Sequence, residues 1–512
     1  MPGTTRERRR KPFNTAFLLF TTLVISICSV VYELIIGSLS SYLLGDSVLQ
    51  FSRTIGLYLF SMGLGSYASK HFARNLFDVF VTIEILLGLV GGFSGMALFL
   101  CYIRTNAYPL LMYLTILSIG FLVGLEIPLL ARIFEQNRQS LRSGLANLFA
   151  FDYLGGLVGS LLFPLVLLPS LGHVTVAFFA GLLNFAAAAL IVFRYSEQVV
   201  RFRTLRAAAC LGAVLLLALT FSGDVVTSKL EEGLYRDQII LSRQTRYQKI
   251  VLTRHKDDLR LFIDGNVQFS SLDEYRYHEA LVHVPMAARP DAVRVLLLGA
   301  GDGLAARELL KYRGIREITI VDIDEALVDL CRTNPLIAEL NRGALKDERV
   351  RLVFEDAFIF LRRNEAPYDL IIADLPDPNN EALNKLYTNA FYRLARKNLT
   401  PRGVMATQST SPWHTRDAFW CINRTMAEEF PAVLPYHLYV PSFGDWGFNL
   451  ALLSPPPSLR LAENLSLSCL NADNFEALFV FGGDELPSAD VAVNTLLRPR
   501  LLYYYAKGAQ EW

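Results

Sequence analysis

The first 222 residues of this 512-residue chain are dominated by apolar runs too long for an ordinary globular core. A helix needs about 20 apolar residues to cross the hydrocarbon of a bilayer. Seven stretches approach or exceed that length: about 14–37, 48–69, 77–103, 108–131, 147–169, 173–193 and 207–222. In lipid, backbone polar groups must be satisfied within their own segment, which leaves helices as the fold for such runs. Charge is correspondingly scarce. Residues 1–222 hold 25 charged side chains and the remaining 290 hold 72, the latter close to the soluble average. The expectation is a multi-pass α-helical membrane domain of about seven helices over 1–222, followed by soluble structure.

The first run follows Arg8, Arg9, Arg10 and Lys11, yet it is too long for a cleaved signal and further runs follow it. Loop cations alternate. Lys70 and Arg74, then Arg132, Arg138 and Arg142, then Arg194, Arg201, Arg203 and Arg206 occupy every second loop, whereas 38–47 and 170–172 carry none and 104–107 only Arg104. The positive-inside rule then places the N-terminus in the cytoplasm. Seven crossings would leave the C-terminal half outside, unless the short last stretch is re-entrant or an eighth span exists. Glu33, Arg53, Glu84, Glu126 and Asp152 lie within or at the ends of the runs. Such charges either line a path for a cation or pair to hold the bundle. Gly63-Leu64-Gly65-Ser66 and Gly155-Gly156-x-x-Gly159 suit close helix packing.

The net charge of +1 divides into +7 before residue 223 and −6 after it. An acidic soluble half argues against nucleic acid as a partner. Cys28, Cys101, Cys210, Cys331, Cys421 and Cys469 are scattered with no C-x-x-C spacing, so buried thiols are expected rather than a disulfide framework or a zinc site.

From about Gln244 the pattern turns to strands. Tyr247–Leu252 and Leu259–Asp264 read as two, closed by the turn at Asp264-Gly265-Asn266. Polar residues Asp273, Glu274, Tyr277, His278 and Glu279 crowd the start of a helix reaching His283, which reads as a lid over a neighbouring pocket. Val293–Leu298, Ile318–Val321, Val350–Phe354 and Tyr368–Ala373 then alternate with helical segments. Alternation of this kind gives a doubly wound α/β sheet. The strands lead into Gly299-Ala300-Gly301-Asp302-Gly303, Asp322-Ile323-Asp324, Glu355-Asp356 and Asp374. Such sheets bind ligands at the carboxyl ends of their strands. The expected divisions are 1–222, a linker and small β-strand subdomain over 223–285, and a Rossmann-like, methyltransferase-type domain over 286–512.

The glycine loop departs from the dinucleotide fingerprint G-x-G-x-x-G, because Leu304 stands where its third glycine would be. Asp302 inside the loop would repel a pyrophosphate, so a nucleoside with a cationic tail fits better. Asp322, about 20 residues on, suits ribose hydroxyls.

These residues together resemble the spermidine synthase (polyamine aminopropyltransferase) family, in its membrane-fused bacterial branch. The matching pieces are Tyr247-Gln248, Asp264-Gly265-x-x-Gln268, Asp273-Glu274-x-x-Tyr277-His278-Glu279, the loop Gly299–Gly303, Asp322-Ile323-Asp324, Glu355-Asp356 and Asp374-x-x-Asp377-Pro378. The resemblance implies transfer of an aminopropyl group from decarboxylated S-adenosylmethionine to putrescine or a related amine, giving spermidine and methylthioadenosine. It implies Asp374 as general base, aided by Tyr277. Gln248, Asp322 and Asp356 would hold the nucleoside, with the Ala357 backbone beside the adenine and Gly299 and Gly301 lining the loop. Asp302 would grip the amine of the aminopropyl tail. His278 and Asp377 would line the polyamine site, with Gln268 nearby. No metal or cofactor is implied beyond the nucleoside co-substrate, and a homodimer is. A donor made in the cytosol places the catalytic domain on that side of an inner membrane.

The chemistry supports the same roles. An amine with a pKa near ~10 is protonated at neutral pH and cannot attack carbon, so a carboxylate must take its proton. The sulfonium is already a good leaving group. Ordinary S-adenosylmethionine keeps a carboxylate, which Asp302 would repel in a dry site. That speaks against a methyltransferase, one of two alternatives; the other is a polyamine transporter or exporter with a synthase-like binding domain. Four departures from the family pattern stand out: Ala300 for a glycine, Asp322 for a glutamate, Asn379-Asn380-Glu381 after Asp377-Pro378, and Pro441–Trp446 where soluble members often carry a tyrosine. Trp413, Trp446 and the aromatics of Tyr439–Phe448 serve either as core or as a wall around a methylene chain, and Tyr503-Tyr504-Tyr505 reads as packing.

Overall fold

The computed structural model describes residues 14–510 apart from 46, 138–140, 236, 456–458, 463–464 and 488–490. Arg8–Lys11 and Arg138, used above for orientation, lie outside the described residues. The chain divides into two compact units, Met1–Arg236 and Asp237–Trp512.

The first unit is helical. Its principal helices are Thr15–Leu44, Ser47–Ala68, Leu76–Arg104, Tyr108–Gln136, Leu141–Leu162, Leu168–Arg194 and Phe202–Phe221, with Gly223–Tyr235 after them. Among the described residues, five runs are long and apolar enough to cross a membrane: Thr15–Leu44, Leu76–Arg104, Tyr108–Gln136, Arg142–Arg194 and Phe202–Phe221. This is a coarser count than the seven stretches read from the sequence. Ser47–Ala68 falls short, with Gln50, Ser52, Arg53 and Thr54 in its first two turns. The stretches 147–169 and 173–193 form one 53-residue run, kinked where Gly172 takes φ +70°. The expected small-residue contacts are selective. A Cβ at Gly65 would strike the Phe121 carbonyl, and one at Gly155 the Leu23 carbonyl, whereas Gly63 faces open space. Of the acids in this unit, Glu84 is held by neutral partners: Asn184 donates to it (2.7 Å) and in turn accepts from Tyr32 (2.8 Å).

The second unit holds two sheets. Strands β1 (Gln238–Gln244), β2 (Lys249–His255), β3 (Asp258–Ile263) and β4 (Asn266–Ser270) form an antiparallel sheet in sequential order. The hairpin between β3 and β4 needs left-handed backbone at Asp264 (φ +48°) and Gly265 (φ +83°), which glycine supplies at no steric cost. The larger sheet comprises β5 (Arg294–Gly299), β6 (Glu317–Asp322), β7 (Val350–Phe354), β8 (Tyr368–Asp374), β9 (Leu399–Gln408), β10 (Ala432–Val440) and β11 (Gly444–Leu452). Its order is β10-β11-β9-β8-β5-β6-β7. The pairs β5–β6, β6–β7, β5–β8 and β8–β9 are parallel, and β11 runs antiparallel to both its neighbours. The sheet is therefore mixed.

Val295–Leu298 and Leu370–Ala373 are fully buried because helices cover both faces. Leu297 and Ile372 belong to one apolar cluster with the helix Glu274–Ala288, and Leu298 and Ile371 to another with Phe391, Ile422 and Leu501. Strand β5 lies between β6 and β8: from β5 the chain builds outward through β6 to β7, then crosses back to β8 on the other side. That switch point opens a crevice at the carboxyl ends of β5, β6 and β8.

Candidate active site

The glycine loop is shaped by close approach. Gly299 adopts φ +80°, and a Cβ there would collide with the Asp374 carbonyl at the end of β8. A Cβ on Gly301 would collide with Asp322 Oδ2 at the end of β6. Glycine is thus required at 299 by the neighbouring backbone, while at 301 a side chain would have to displace the Asp322 carboxylate. Ala300 sits between them at φ +59°, a conformation costing an alanine roughly 1–2 kcal/mol. The loop then enters the helix Leu304–Leu309, and the Leu304 amide donates to Asp302 Oδ1 (2.9 Å).

Helix Glu274–Ala288 brings Tyr277 and His278 to the same crevice. The Tyr277 hydroxyl donates to Asp374 Oδ1 at 2.6 Å, and His278 Nε2 lies 4.0 Å from Asp302 Oδ2. The other ring nitrogen of His278, Nδ1, is 2.9 Å from Glu274 Oε2. Glu274 in turn is clasped by both terminal nitrogens of Arg307, at 2.7 and 3.0 Å. Burial alone would lower the His278 pKa, but the Glu274 bond and the surrounding acids raise it to about 9. The imidazole is therefore charged at neutral pH.

The acids respond the other way. Burial, reinforced by the Asp302 charge, pushes Asp374 up to about 6, while His278 and the Tyr277 bond pull it back. Burial also raises Asp302, against the opposing pull of His278. Asp322 is pushed up to about 6 by burial, although the Asp324 amide donates to its Oδ1 at 2.9 Å. Asp377 is pushed up to about 6 for the same reason. Its Oδ2 accepts from the Tyr505 hydroxyl (2.9 Å) and its Oδ1 from Gln408 Nε2 (3.3 Å). Tyr505 was read from sequence as packing, and Gln408 was not singled out; neither has a local motif to betray it. A crevice lined by four desolvated carboxyls suits a cationic occupant.

The remaining expected residues are placed less centrally. Asp356 caps the helix Ala357–Arg363, accepting from the Phe358 and Ile359 amides at 2.8 and 3.2 Å, and its second oxygen meets Lys385. Ala357 is the first residue of that helix. Gln248 is half-buried just before β2, its carbonyl accepting from the Thr245 amide. The same turn is held near β6 by Thr245 Oγ1, which donates to Asp324 Oδ2 at 2.7 Å. The Gln268 amide bonds back to the Asn266 carbonyl in its own hairpin (3.3 Å). Two acids of the polar helix start hold other segments. Asp273 accepts from the amide and hydroxyl of Ser442, and Glu279 from the amides of Ser468, Cys469 and Leu470.

Aromatic rings form one wall. Tyr277 packs edge-on to Phe443 and tilted against Phe448, and Trp446 lies 5.1 Å from Phe443. Among the described residues, His437, Asp445 and Glu485 form one cluster with metal-ligand spacing. However, His437 Nδ1 bonds Asp445 and Nε2 bonds the Val480 carbonyl (2.8 Å), so the ring has no nitrogen to spare for a metal.

The spermine/spermidine synthase domain model matches residues 274–463, the span that carries this crevice. A polyamine aminopropyltransferase of Leptospira interrogans is 41% identical over 502 residues, covering 97% of this chain and 98% of that protein. One from Oceanobacillus iheyensis is 40% identical over 494 residues, covering 96% of each. A solved spermidine synthase, in complex with the transition state analogue AdoDATO, is 25% identical, covering 48% of this chain and 86% of that one with a TM-score of 0.45. At that identity over nearly the whole length of the first two relatives, the chain belongs to the polyamine aminopropyltransferase family.

Proposed function

We propose that the chain moves the aminopropyl group of decarboxylated S-adenosylmethionine onto putrescine or a related short amine. The amine nitrogen attacks the carbon next to sulfur, the C–S bond breaks with its electron pair going to sulfur, and a proton leaves the nitrogen for Asp374. The products are the longer polyamine and neutral methylthioadenosine. The observation that carries this reading is the joint placement of the half-buried Asp302 and Asp374 around the charged His278 and the Tyr277 phenol. A carboxyl near 6 is mostly ionised at neutral pH yet basic enough to accept the proton as the bond forms.

Tyr277 orients the base. Asp302 meets the amine of the donor's tail, and Gly299, Gly301, Asp322, Asp356, Ala357 and Gln248 surround its nucleoside, with Asp356 held rigid by the amides it caps. His278 and Asp377 line the acceptor, and Gln268 would join them only by rotating away from Asn266. Catalysis needs no covalent enzyme intermediate; holding nitrogen and carbon in line supplies several kcal/mol.

The same reading divides the chain into a membrane domain over 1–222, a connecting and small β segment over 223–285, and the catalytic domain over 286–512. The helical part would cross an inner membrane about seven times and present the catalytic part to the cytoplasm, where the donor is made. The five apolar runs support membrane insertion. A homodimer through the catalytic part completes the proposal.

The test is to incubate the purified full-length protein with the decarboxylated donor and a panel of di- and triamines, and to identify products by mass. Growth of an amine by one aminopropyl unit with equimolar methylthioadenosine is expected. Methyl transfer from S-adenosylmethionine instead would overturn the reading, and protease access to residues 240–512 in sealed vesicles decides the side.

A further inference from the structure

We propose that Tyr505, on the C-terminal helix Arg500–Gln510, is a positioning residue that fixes Asp377 for the remote ammonium of a diamine and thereby sets preference for diamines over monoamines. The inference rests on the reading above of Asp377 as an amine anchor.

Asp377 is half-buried, and its two oxygens are held from two different elements. Tyr505 reaches Oδ2 across 128 positions of sequence at 2.9 Å, and Gln408, at the end of β9, reaches Oδ1 at 3.3 Å. Turning the carboxylate plane would break one bond or the other. A carboxylate offers about four lone-pair directions, so about two stay open for a ligand. Gln408 is itself fixed: its two amide N–H groups make their shorter bonds to the Leu375 carbonyl (2.6 Å) and the Tyr387 hydroxyl (2.7 Å), so the 3.3 Å contact to Asp377 is a shared one, and its Oε1 accepts from the Thr410 amide.

Packing away from the crevice dictates where the phenol sits. Leu501 is fully buried, and its amide bonds Asn494 Oδ1 at 3.3 Å. Tyr504 accepts from the Ala492 amide at 3.2 Å. Gly508 comes so close to the His414 carbonyl that an added Cβ would lie 2.8 Å from it. The helix is thus anchored on both sides of Tyr505, which presents a preorganised donor rather than one recruited by substrate.

A diamine makes two demands. Its attacking nitrogen needs Asp374, and its far ammonium needs an anion in register. Asp377, three positions on from Asp374, supplies that anion only while its plane is held. A monoamine of the same length makes no demand on Asp377.

The experiment compares Tyr505→Phe with wild-type full-length protein, using the decarboxylated donor with either 1,4-diaminobutane or butylamine. Loss of one hydrogen bond to a charged group predicts KM for the diamine about tenfold higher, with kcat within about twofold. Donor KM and the kcat/KM for butylamine stay unchanged. In an Asp377→Asn background the same substitution adds less than about twofold, as expected for residues acting as one unit. Equal losses for both amines, an undiminished diamine preference, or additive losses in the double variant overturn the proposal, the first outcome marking a merely structural tyrosine. A wild-type protein that transfers no aminopropyl group to any amine sinks the transferase reading itself, which these variant comparisons presuppose.

Discussion

Tyr277 and Asp374 stand 97 positions apart in the chain, and the phenol of one donates to Oδ1 of the other at 2.6 Å. The bond fixes one oxygen of the carboxyl; in the proposed reaction the second takes the proton. It also lowers the carboxyl's pKa against the stronger upward push of burial. Asp374→Asn is expected to cut turnover by about 10²–10⁴ while donor binding stays nearly intact. Tyr277→Phe removes the bond, so the base becomes weaker in ionisation and the acid limb of the kcat profile moves to higher pH. Stopped-assay rates across pH and donor titration by calorimetry check both, and donor affinity falling in step with turnover would take Asp374 out of the base role.

Asp302 should decide which sulfonium is accepted. It is half-buried, and its charge is sustained by His278 at 4.0 Å and the Leu304 amide. The decarboxylated donor brings an ammonium tail, whereas S-adenosylmethionine adds a carboxylate that two like charges in a dry site would reject. Asp302→Asn is expected to raise KM for the decarboxylated donor and to narrow its advantage over S-adenosylmethionine by about tenfold or more. Competition binding of the two nucleosides measures the ratio, and an unchanged ratio defeats this account of donor choice.

Much of the parallel half of the sheet was legible because its strands are short, mostly apolar and lead into acids: Val293–Leu298 was expected where Arg294–Gly299 is found, and Tyr368–Ala373 where Tyr368–Asp374 is found. Strands β9, β10 and β11 were not read. Pairing of β11 between β9 and β10 is set by long-range packing, and no local spacing announces an antiparallel strand inserted near the edge of a parallel sheet. The site shows the same division. Asp302, Tyr277, His278 and Asp374 converge because each follows a strand end or shares one helix turn. Tyr505 and Gln408 reach Asp377 from distant elements, so nothing near them in sequence marks them. Conversely Asp273 and Glu279, members of the polar cluster read as a lid, serve structure: Asp273 accepts from the amide and hydroxyl of Ser442 and Glu279 from the amides at 468–470.

Gly301 is expected to be intolerant of even a methyl group. A Cβ there would overlap Asp322 Oδ2, so alanine must displace either the loop or the carboxylate. Both lie against the space read as the nucleoside site. Gly301→Ala should therefore raise donor KM by about tenfold or more while leaving acceptor KM within about twofold. Donor KM at the wild-type value would mean that Asp322 does not contact the nucleoside.

The crevice acids also make a prediction about stability. Burial pushes Asp322, Asp374 and Asp377 up to about 6, whereas an unfolded aspartate titrates near ~3.9. A folded-state pKa above the unfolded one means the fold favours the protonated form. The stability these groups contribute is full below about pH 4, drains away as pH rises through about 6, and is flat beyond. His278, raised to about 9, acts in the same direction at higher pH: its contribution is full below about 6.5 and lost as pH climbs through about 9. A polycation in the crevice pairs with the ionised acids and restores what deprotonation removed. Spermidine is therefore expected to raise the thermal midpoint of the detergent-solubilised protein by more at about pH 7.5 than at about pH 5, where the acids are largely neutral. Scanning fluorimetry with and without the amine at both pH values measures the difference. Asp377→Asn should shrink the shift at the higher pH and leave the lower one nearly unchanged. An equal shift at both would mean that the amine binds somewhere other than among these carboxyls.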